Sequence, residues 1–530
     1  MAERVRQEML PPQNADPRTD MLHSVASSCQ SHGSQIELYL RRIEDAGNNN
    51  LFLRFTGPFS EIESEIQFVV DSASSLSKAL IRQLACLFQQ LEEILASTSS
   101  DIAIYAESYP SSDPYYSGRR IEMDVDLAGS IGDAVQKLEA WHSLFLQRLF
   151  LVVLLGEPFA EPNVRSNTDY KHSKALRDIF NMRQAVISLR QTQSPGTLEI
   201  DSLRGQRDRL PDSQIFTLQD GQGSRYIVEY RDVDEAVQLS ILKETIRDLM
   251  YVLSQTDPLR MGILRGFGFS QLHQSTQNGF ELLYEFPMGF SKPRSLRNML
   301  LDPENAIKGP RHSISERFEL ARQLARAILF IHITKNVHKS VRPETILLFE
   351  PDGSSDKVRY PYTIGQAYIV GFENMRKDGP YSTRKSDGEW EKDIYRHPDR
   401  QGLDPEKSYS MRHDIYSLGV VFLEIAMWKS FLDWSDKRGY RINDYVNRIF
   451  NMEGGKSLKP PREIQSALMK LSRQQVPLSM GTKFAGIVEQ CLDSLEGSFA
   501  ACGDVENEDE MDVGIRYIEV VLDKLEKLSV

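Results

Sequence analysis

Residues 337–348 read Val337-His338-Lys339-Ser340-Val341-Arg342-Pro343-Glu344-Thr345-Ile346-Leu347-Leu348. A polar segment with a histidine and a Pro-Glu pair runs directly into an apolar strand, Ile346-Leu347-Leu348. The stretch before it, Ser315 to His332, carries Leu320, Leu324, Ile328 and Ile331 at helical spacing and predicts a helix with one apolar side. Three further phrases follow in order. They are Tyr368-Ile369-Val370-Gly371-Phe372-Glu373, Tyr395-Arg396-His397-Pro398-Asp399 and Asp414-Ile415-Tyr416-Ser417-Leu418-Gly419-Val420. The last opens a second long helix that runs through Glu424.

These phrases resemble the motifs of protein kinases. The first is similar to the catalytic loop H-R-D-L-x-x-x-N, matching at His338, at Pro343-Glu344 and in the strand that follows. The second stands in the place of the D-F-G strand and turn, the third resembles the A-P-E region, and the fourth the start of a large-lobe central helix. The resemblance implies an α+β chain with a kinase-like small lobe at 193–290 and a large lobe at 291–530. It gives His338, Pro343, Phe372, Pro398, Asp414 and Gly419 structural roles. His338 is expected to pack under its loop, Phe372 to join the core, and Asp414 to cap the central helix and bond the loop backbone.

The chemistry departs from that pattern. Phosphoryl transfer needs a carboxylate to orient and deprotonate the acceptor hydroxyl, and metal ligands to hold the phosphates. The base position is Ser340, a neutral hydroxyl; the Asn that should hold a metal is Thr345; and the D-F-G aspartate is Gly371, with no side chain. Glu373 lies two residues further on and is not expected to substitute. No catalytic residue is intact, and no metal site is expected.

In the small lobe, strands are predicted at Gln214 to Leu218, Arg225 to Tyr230 and Phe280 to Phe286, with a helix over Val233 to Leu253. Gly221 and Gly223 are the candidates for a glycine-rich loop between the first two strands, and they resemble a hairpin turn more than a phosphate cradle. The resemblance puts Arg231 in place of the third-strand lysine. Its acidic partner would be Glu244 or Asp248, and counting back from Asp257-Pro258 favours Asp248. Glu285 and Phe286 begin the hinge, where an adenine would bind, and Pro287 removes one backbone donor there.

Residues 1–20 read as a disordered leader and 21–192 as a helical domain. Ile62, Ile66, Val69, Leu76, Leu80, Leu84, Leu87, Leu91 and Leu95 recur at helical steps with one skip near Ser72 to Ser75. Ile131 to Trp141 and Leu176 to Leu189 give two more amphipathic segments, and Tyr105 to Ser117 has loop chemistry. Several such helices without strand patterns predict a bundle. With Leu138-Glu139-Ala140-Trp141-His142 and the kinase-like phrases, the chain is similar to filamentous-fungal proteins that join a HeLo-like prion-inhibition domain to a degenerate kinase domain. That resemblance implies membrane-targeted cell death or incompatibility, although the glycine-rich apolar N-terminus of such domains is absent.

The net charge of −12 over 530 residues leaves no basic excess for nucleic acid. Cys29, Cys86, Cys491 and Cys502 form no CxxC pair, which predicts reduced thiols in a cytoplasmic protein. The longest apolar run, Leu149 to Leu155, is too short to span a bilayer. The acidic run Asp504 to Asp512 reads as a solvated loop before a final helix, Ile515 to Leu528. The function expected is a pseudokinase that regulates or scaffolds other proteins, leaving room for ATP bound without magnesium. The rivals are an active ATP-dependent kinase and a membrane-acting effector that uses Leu144 to Leu155 as an exposed amphipathic surface.

Overall fold

The computed structural model describes residues 17–45, 51–108, 117–155, 173–190, 198–232, 239–274, 277–334, 336–353, 359–372, 376–377, 390–401, 409–435, 439–442, 447, 460–495 and 510–528. Of the leader expected at 1–20, residues 1–16 lie outside this set and 17–20 already belong to a helix. Glu373, Cys502 and residues 504–509 of the acidic run also lie outside it. A helical region is followed by a region of mixed helix and antiparallel sheet. The two compact units divide between Phe180 and Asn181.

In the first unit, α1 (Pro17–Asp45), α2 (Leu51–Ser72), α3 (Lys78–Ser108), α4 (Ser117–Leu155) and the start of α5 (Lys174–Arg190) follow the apolar stripes. The skip near residue 73 is a short 3-10 turn, Ala73–Ser75, between α2 and α3. Apolar side chains at Leu22, Cys29, Ile36 and Ile43 bury one face of α1. Gly33 lies on that face because a Cβ there would fall 2.0 Å from the Phe59 ring of α2. Trp141 of α4 donates its indole N–H to Leu87 O of α3 at 2.7 Å, so its polar edge is satisfied inside the core. The division falls inside α5 rather than after residue 192 because the start of that helix is anchored in the first unit. Ser173 donates to the buried Glu65 at 2.7 Å, Glu61 accepts from Lys174 N at 3.0 Å, and Phe180 meets Phe68 edge-on. Phe145 and Leu149 to Val153 are buried and Leu144 and Leu146 half-buried, so over these residues the segment packs into the bundle rather than presenting an exposed apolar surface. No helix among the described residues is long and apolar enough to cross a membrane.

The second unit opens with a five-stranded antiparallel sheet in the order β1-β2-β3-β5-β4. Its strands are β1 (Gly205–Arg209), β2 (Phe216–Asp220), β3 (Arg225–Asp232), β4 (Gly266–Gln274) and β5 (Gln277–Glu285). Leu218, Val228 and Leu283 from β2, β3 and β5 form the core of one face. The helix α6 (Leu239–Leu253) precedes β4; the first six residues expected of it, 233–238, lie outside the described set. A second sheet, in the order β6-β8-β9, joins β6 (Phe290–Ser295), β8 (Ile346–Pro351) and β9 (Gln366–Ile369), while β7 (Asn336–Val337) pairs with β10 (Arg376–Lys377).

Around the second sheet lie α7 (Leu296–Leu300), α8 (Ile314–Ile333), α9 (Met411–Met427), α10 (Pro461–Leu492) and α11 (Glu510–Tyr517). The helix α11 starts inside the acidic run, earlier than the predicted Ile515. Every residue of α9 from His413 to Ala426 is buried, so this helix is the centre of the unit. Gly419 permits α10 to lie against it, since a Cβ at 419 would be 2.8 Å from Cys491 Cβ. Ser410, not Asp414, is the N-cap of α9, with His413 Nδ1 accepting from Ser410 N at 2.8 Å. Asp414 lies further into the first turn, and that frees its carboxylate for a tertiary role.

Candidate functional site

Asp414 is fully buried and reaches back to the loop that precedes β8. Its carboxylate accepts from His338 N at 2.7 Å, Lys339 N at 2.9 Å and His332 Nε2 at 2.9 Å. Burial alone would raise this carboxyl, but the His332 bond, nearby His338 and the backbone N–H hold it below the usual range. The clamp stabilises Lys339 at φ 66, a left-handed conformation that costs a non-glycine residue about 1 kcal/mol or more.

His338 lies beneath the loop. Its Nε2 donates to Val370 O at 3.0 Å, and its Nδ1 accepts from Ser340 N at 3.2 Å. Burial pushes it down to about 4, so the ring is neutral near pH 7 and both its nitrogens are engaged. Phe372 stacks edge-on to His338 at 4.9 Å and reaches Tyr284 of β5 at 6.3 Å. Asp414, His338, Phe372 and Tyr284 thus form a continuous buried column from α9 to the first sheet. Pro343 and Pro398, both buried, open short 3-10 turns where their missing N–H groups need no partner.

Ser340, Thr345 and Gly371, the three positions singled out by the kinase resemblance, meet around this column. Ser340 Oγ accepts from Arg342 Nη2 at 3.1 Å, and Arg342 also pairs with Glu344 at 3.3 Å. The Thr345 hydroxyl lies 2.6 Å from Ser340 O and 2.9 Å from Arg342 O, and it accepts from Arg342 N at 3.2 Å. It is consumed in tying its own turn. Gly371 has φ 91, and a Cβ there would fall 2.5 Å from Thr345 Cγ2.

Glu229 of β3, which the sequence reading did not single out, also comes to this point. Glu229 Oε2 accepts from Gly371 N at 3.0 Å and lies 3.1 Å from Tyr284 Oη, which donates to it. Burial and this carboxylate together push Tyr284 well above its ordinary value, so it stays a phenol. Arg231 is also buried on β3, and its charge bears on Tyr284. Asp248 takes a bond from its neighbour Arg247 at 3.3 Å. The magnesium that the kinase resemblance implies does not fit this donor set. Among the described residues, the Thr345 hydroxyl is spent in its own turn, Gly371 contributes no side-chain oxygen, and Glu229 Oε2 already accepts two donors.

At the hinge position Glu285 is exposed, while the Phe286 ring has Arg225 over it at 4.1 Å and Phe349 edge-on at 5.2 Å. Gly221 and Gly223 link β2 to β3 in an exposed hairpin, with Asp220 Oδ1 accepting from Gln222 N and Ser224 N. The loop between the first two strands is instead Leu210-Pro211-Asp212-Ser213-Gln214-Ile215, without glycine. Ser213 Oγ donates to Glu344 O at 2.9 Å, and Asn298 Nδ2 donates to Asp212 Oδ2 at 2.9 Å. Asp212 and Asn298 also line a cavity of about 640 Å³ with Arg294, Asp302, Tyr360 and Asp433.

Arg297 of α7 was not singled out by the sequence reading. It is fully buried and donates to Glu344 at 2.8 Å, Tyr395 Oη at 2.8 Å, Glu424 at 3.2 Å and Ser430 Oγ at 2.7 Å. Burial would raise Glu344, but Arg342 and Arg297 outweigh it and hold it at about 2. Burial wins at Glu424, which stands at about 7 despite Arg297.

His397, Asp399 and His413 are buried with ligand-type atoms within 4.8 Å of one another. However, His397 Nδ1 accepts from Asp399 N at 3.2 Å and His413 Nδ1 accepts from Ser410 N, so each neutral ring carries its proton on Nε2. Arg462 holds Asp399 at 2.6 Å. Both Nδ1 atoms and one Asp399 oxygen are thus engaged within the protein.

No protein-family model matches this chain, and no curated protein sequence matches it.

Proposed function

We propose that residues 193–530 form a kinase-like module that has lost phosphoryl transfer and works as a regulatory or scaffolding partner of other proteins, joined to a helical bundle that mediates assembly. The observation that carries this reading is the Thr345–Gly371 contact, which fills the space a metal-binding side chain at 371 would need. Glu229 strengthens it, because a buried carboxylate at Gly371 repels the phosphates that a cation in its place would attract. The architecture of the loop is kept while its chemistry is absent: the Asp414 clamp and the His338–Phe372 stack hold the segment in one conformation.

The test is transfer of the γ-phosphate of ATP to generic protein substrates or to the chain itself, with magnesium or manganese. The expected result is no transfer and no metal-dependent rise in melting temperature. Metal-dependent transfer that disappears in Glu229→Ala or Arg231→Ala would overturn the reading.

A further inference from the structure

We propose that the β1–β2 loop, Leu210–Ile215, is a built-in latch that ties the first sheet to the loop before β8 and to α7. The proposal rests on the kinase-like reading above, in which a bound nucleotide would otherwise bridge these two halves. Here the chain bridges them itself. Ser213 Oγ donates to Glu344 O at 2.9 Å, one residue before Thr345. Ser295, the N-cap of α7, directs its hydroxyl to Pro211 O at 3.0 Å and Asp212 O at 3.3 Å, and Asn298 holds the Asp212 carboxylate at 2.9 Å.

The anchor points are themselves fixed. Glu344 is gripped by Arg297 and Arg342, and Ser295 also accepts from Asn298 N at 3.1 Å. The loop is closed on itself, with Leu210 N donating to Ile215 O at 2.9 Å and Arg209 Nε to Ser213 O at 2.9 Å. Leu210, Ser213 and Ile215 are 7%, 2% and 3% exposed, whereas the hairpin Gly221–Ser224 on the same sheet is exposed throughout. A surface turn needs neither this burial nor four bonds to another part of the fold. Pro211 fixes one φ, and the loop has no glycine and is unsuited to wrapping phosphates; Asp212 at φ 52 is held in the left-handed region by the bonds from Ser295 and Asn298.

Amide hydrogen exchange on the full chain tests the latch. In the wild-type protein, Leu210–Ile215 should exchange far more slowly than the Asp220–Ser224 hairpin, and ADP without metal should change neither this exchange nor the melting temperature. In Ser213→Ala/Asn298→Ala, exchange at Leu210–Ile215 and at Pro343–Thr345 should rise on the order of tenfold, with no change in Lys78–Ser108. Wild-type loop exchange as fast as that of the hairpin overturns the latch, and so does stabilisation of the wild type by ADP. A folded double variant with unchanged loop exchange does the same. The wild-type arms decide even if the double variant fails to fold. Phosphate transfer by a chain with a protected loop would remove the pseudokinase reading and leave the latch standing.

Discussion

A Cβ on Gly371 would lie 2.5 Å from Thr345 Cγ2 and 2.8 Å from Thr345 Cβ, so one residue's side chain fills the volume the other's would need. The backbone adds a second barrier, because φ at Gly371 is 91, where side chains are strained. Gly371→Ala is therefore expected to lower the unfolding free energy by about 2–4 kcal/mol, combining strain with overpacking. Thr345→Ser removes only Cγ2, so Gly371→Ala should cost less in that background, and the two changes should be non-additive. Urea titrations of the four proteins of this cycle measure it. The same geometry implies that Gly371→Asp creates no metal site, which calorimetry with magnesium checks.

Arg297 pairs with two carboxylates in a fully buried position, so removing it leaves Glu344 with Arg342 alone and Glu424 with no cationic partner among those described. Arg297→Met should destabilise the second unit by about 3–5 kcal/mol, as expected when one partner of a buried pair is deleted. Replacing Glu424 as well, in Arg297→Met/Glu424→Gln, should recover part of that loss, because a carboxyl already raised to about 7 gives up little when made neutral. Equilibrium unfolding followed by the signal of Trp428, whose ring lies against Arg317 and His312, provides the readout.

What the sequence revealed and what it hid follow from the range of the interactions. The strand after the loop at 337–348 and the body of the helix read at 414–424 lie within phrases whose residue types fix local structure, but the helix starts earlier, at Met411, with Ser410 rather than Asp414 as its cap. Arg297 was not legible, since its partners Glu344 and Glu424 are 47 and 127 residues away and a basic residue in a short helix looks solvated. Glu229 and Arg231 point to the same side of a strand with a two-residue period, so no pattern could say which of them meets Gly371. The resemblance named Arg231 because it asks for a cation in that strand, and it gave Glu229 no role. The strand β4 was missed because Gly266 and Gly268 weaken strand propensity, while Ser270, Gln271 and His273 interrupt the apolar alternation. The β1–β2 loop has no motif at all, and its role depends on Ser295, Asn298 and Glu344, which arrive from far along the chain.

Asp414→Asn keeps the size of the side chain but removes the charge that three donors share. Charge-assisted bonds of this kind contribute about 1.5–3 kcal/mol each, and an amide can still accept some of them, so a loss on the order of 3 kcal/mol is expected. Lys339, held at φ 66 by this contact, should be released first. Exchange at His338–Val341 should accelerate more than exchange in β5, and a uniform change across both segments would refute the local clamp.

Acid should destabilise the second unit well before its carboxylates titrate. Burial leads the depression of His312, His338 and His413, to about 4, about 4 and about 3 from an ordinary 6.5, so these rings stay neutral in the folded chain. Between pH 6.5 and about 4 the unfolded chain therefore binds protons at these sites that the folded chain does not. The stability these neutral rings contribute is present above pH 6.5 and is lost as pH falls toward their folded values. Glu424 has the opposite sign. Raised from 4.5 to about 7, it favours the folded state below 4.5, an advantage lost as pH rises through 7, so it offsets one histidine over part of this window. Glu526, also raised by burial, offsets a further part toward the acid end, but the three histidines still outweigh the two carboxyls, and each net proton changes stability by roughly 1.4 kcal/mol per pH unit. Unfolding free energies measured at intervals from pH 7 to pH 4.5 should fall steadily, with the slope reduced in His413→Asn. A flat profile over that range would show that these rings are protonated in the folded chain.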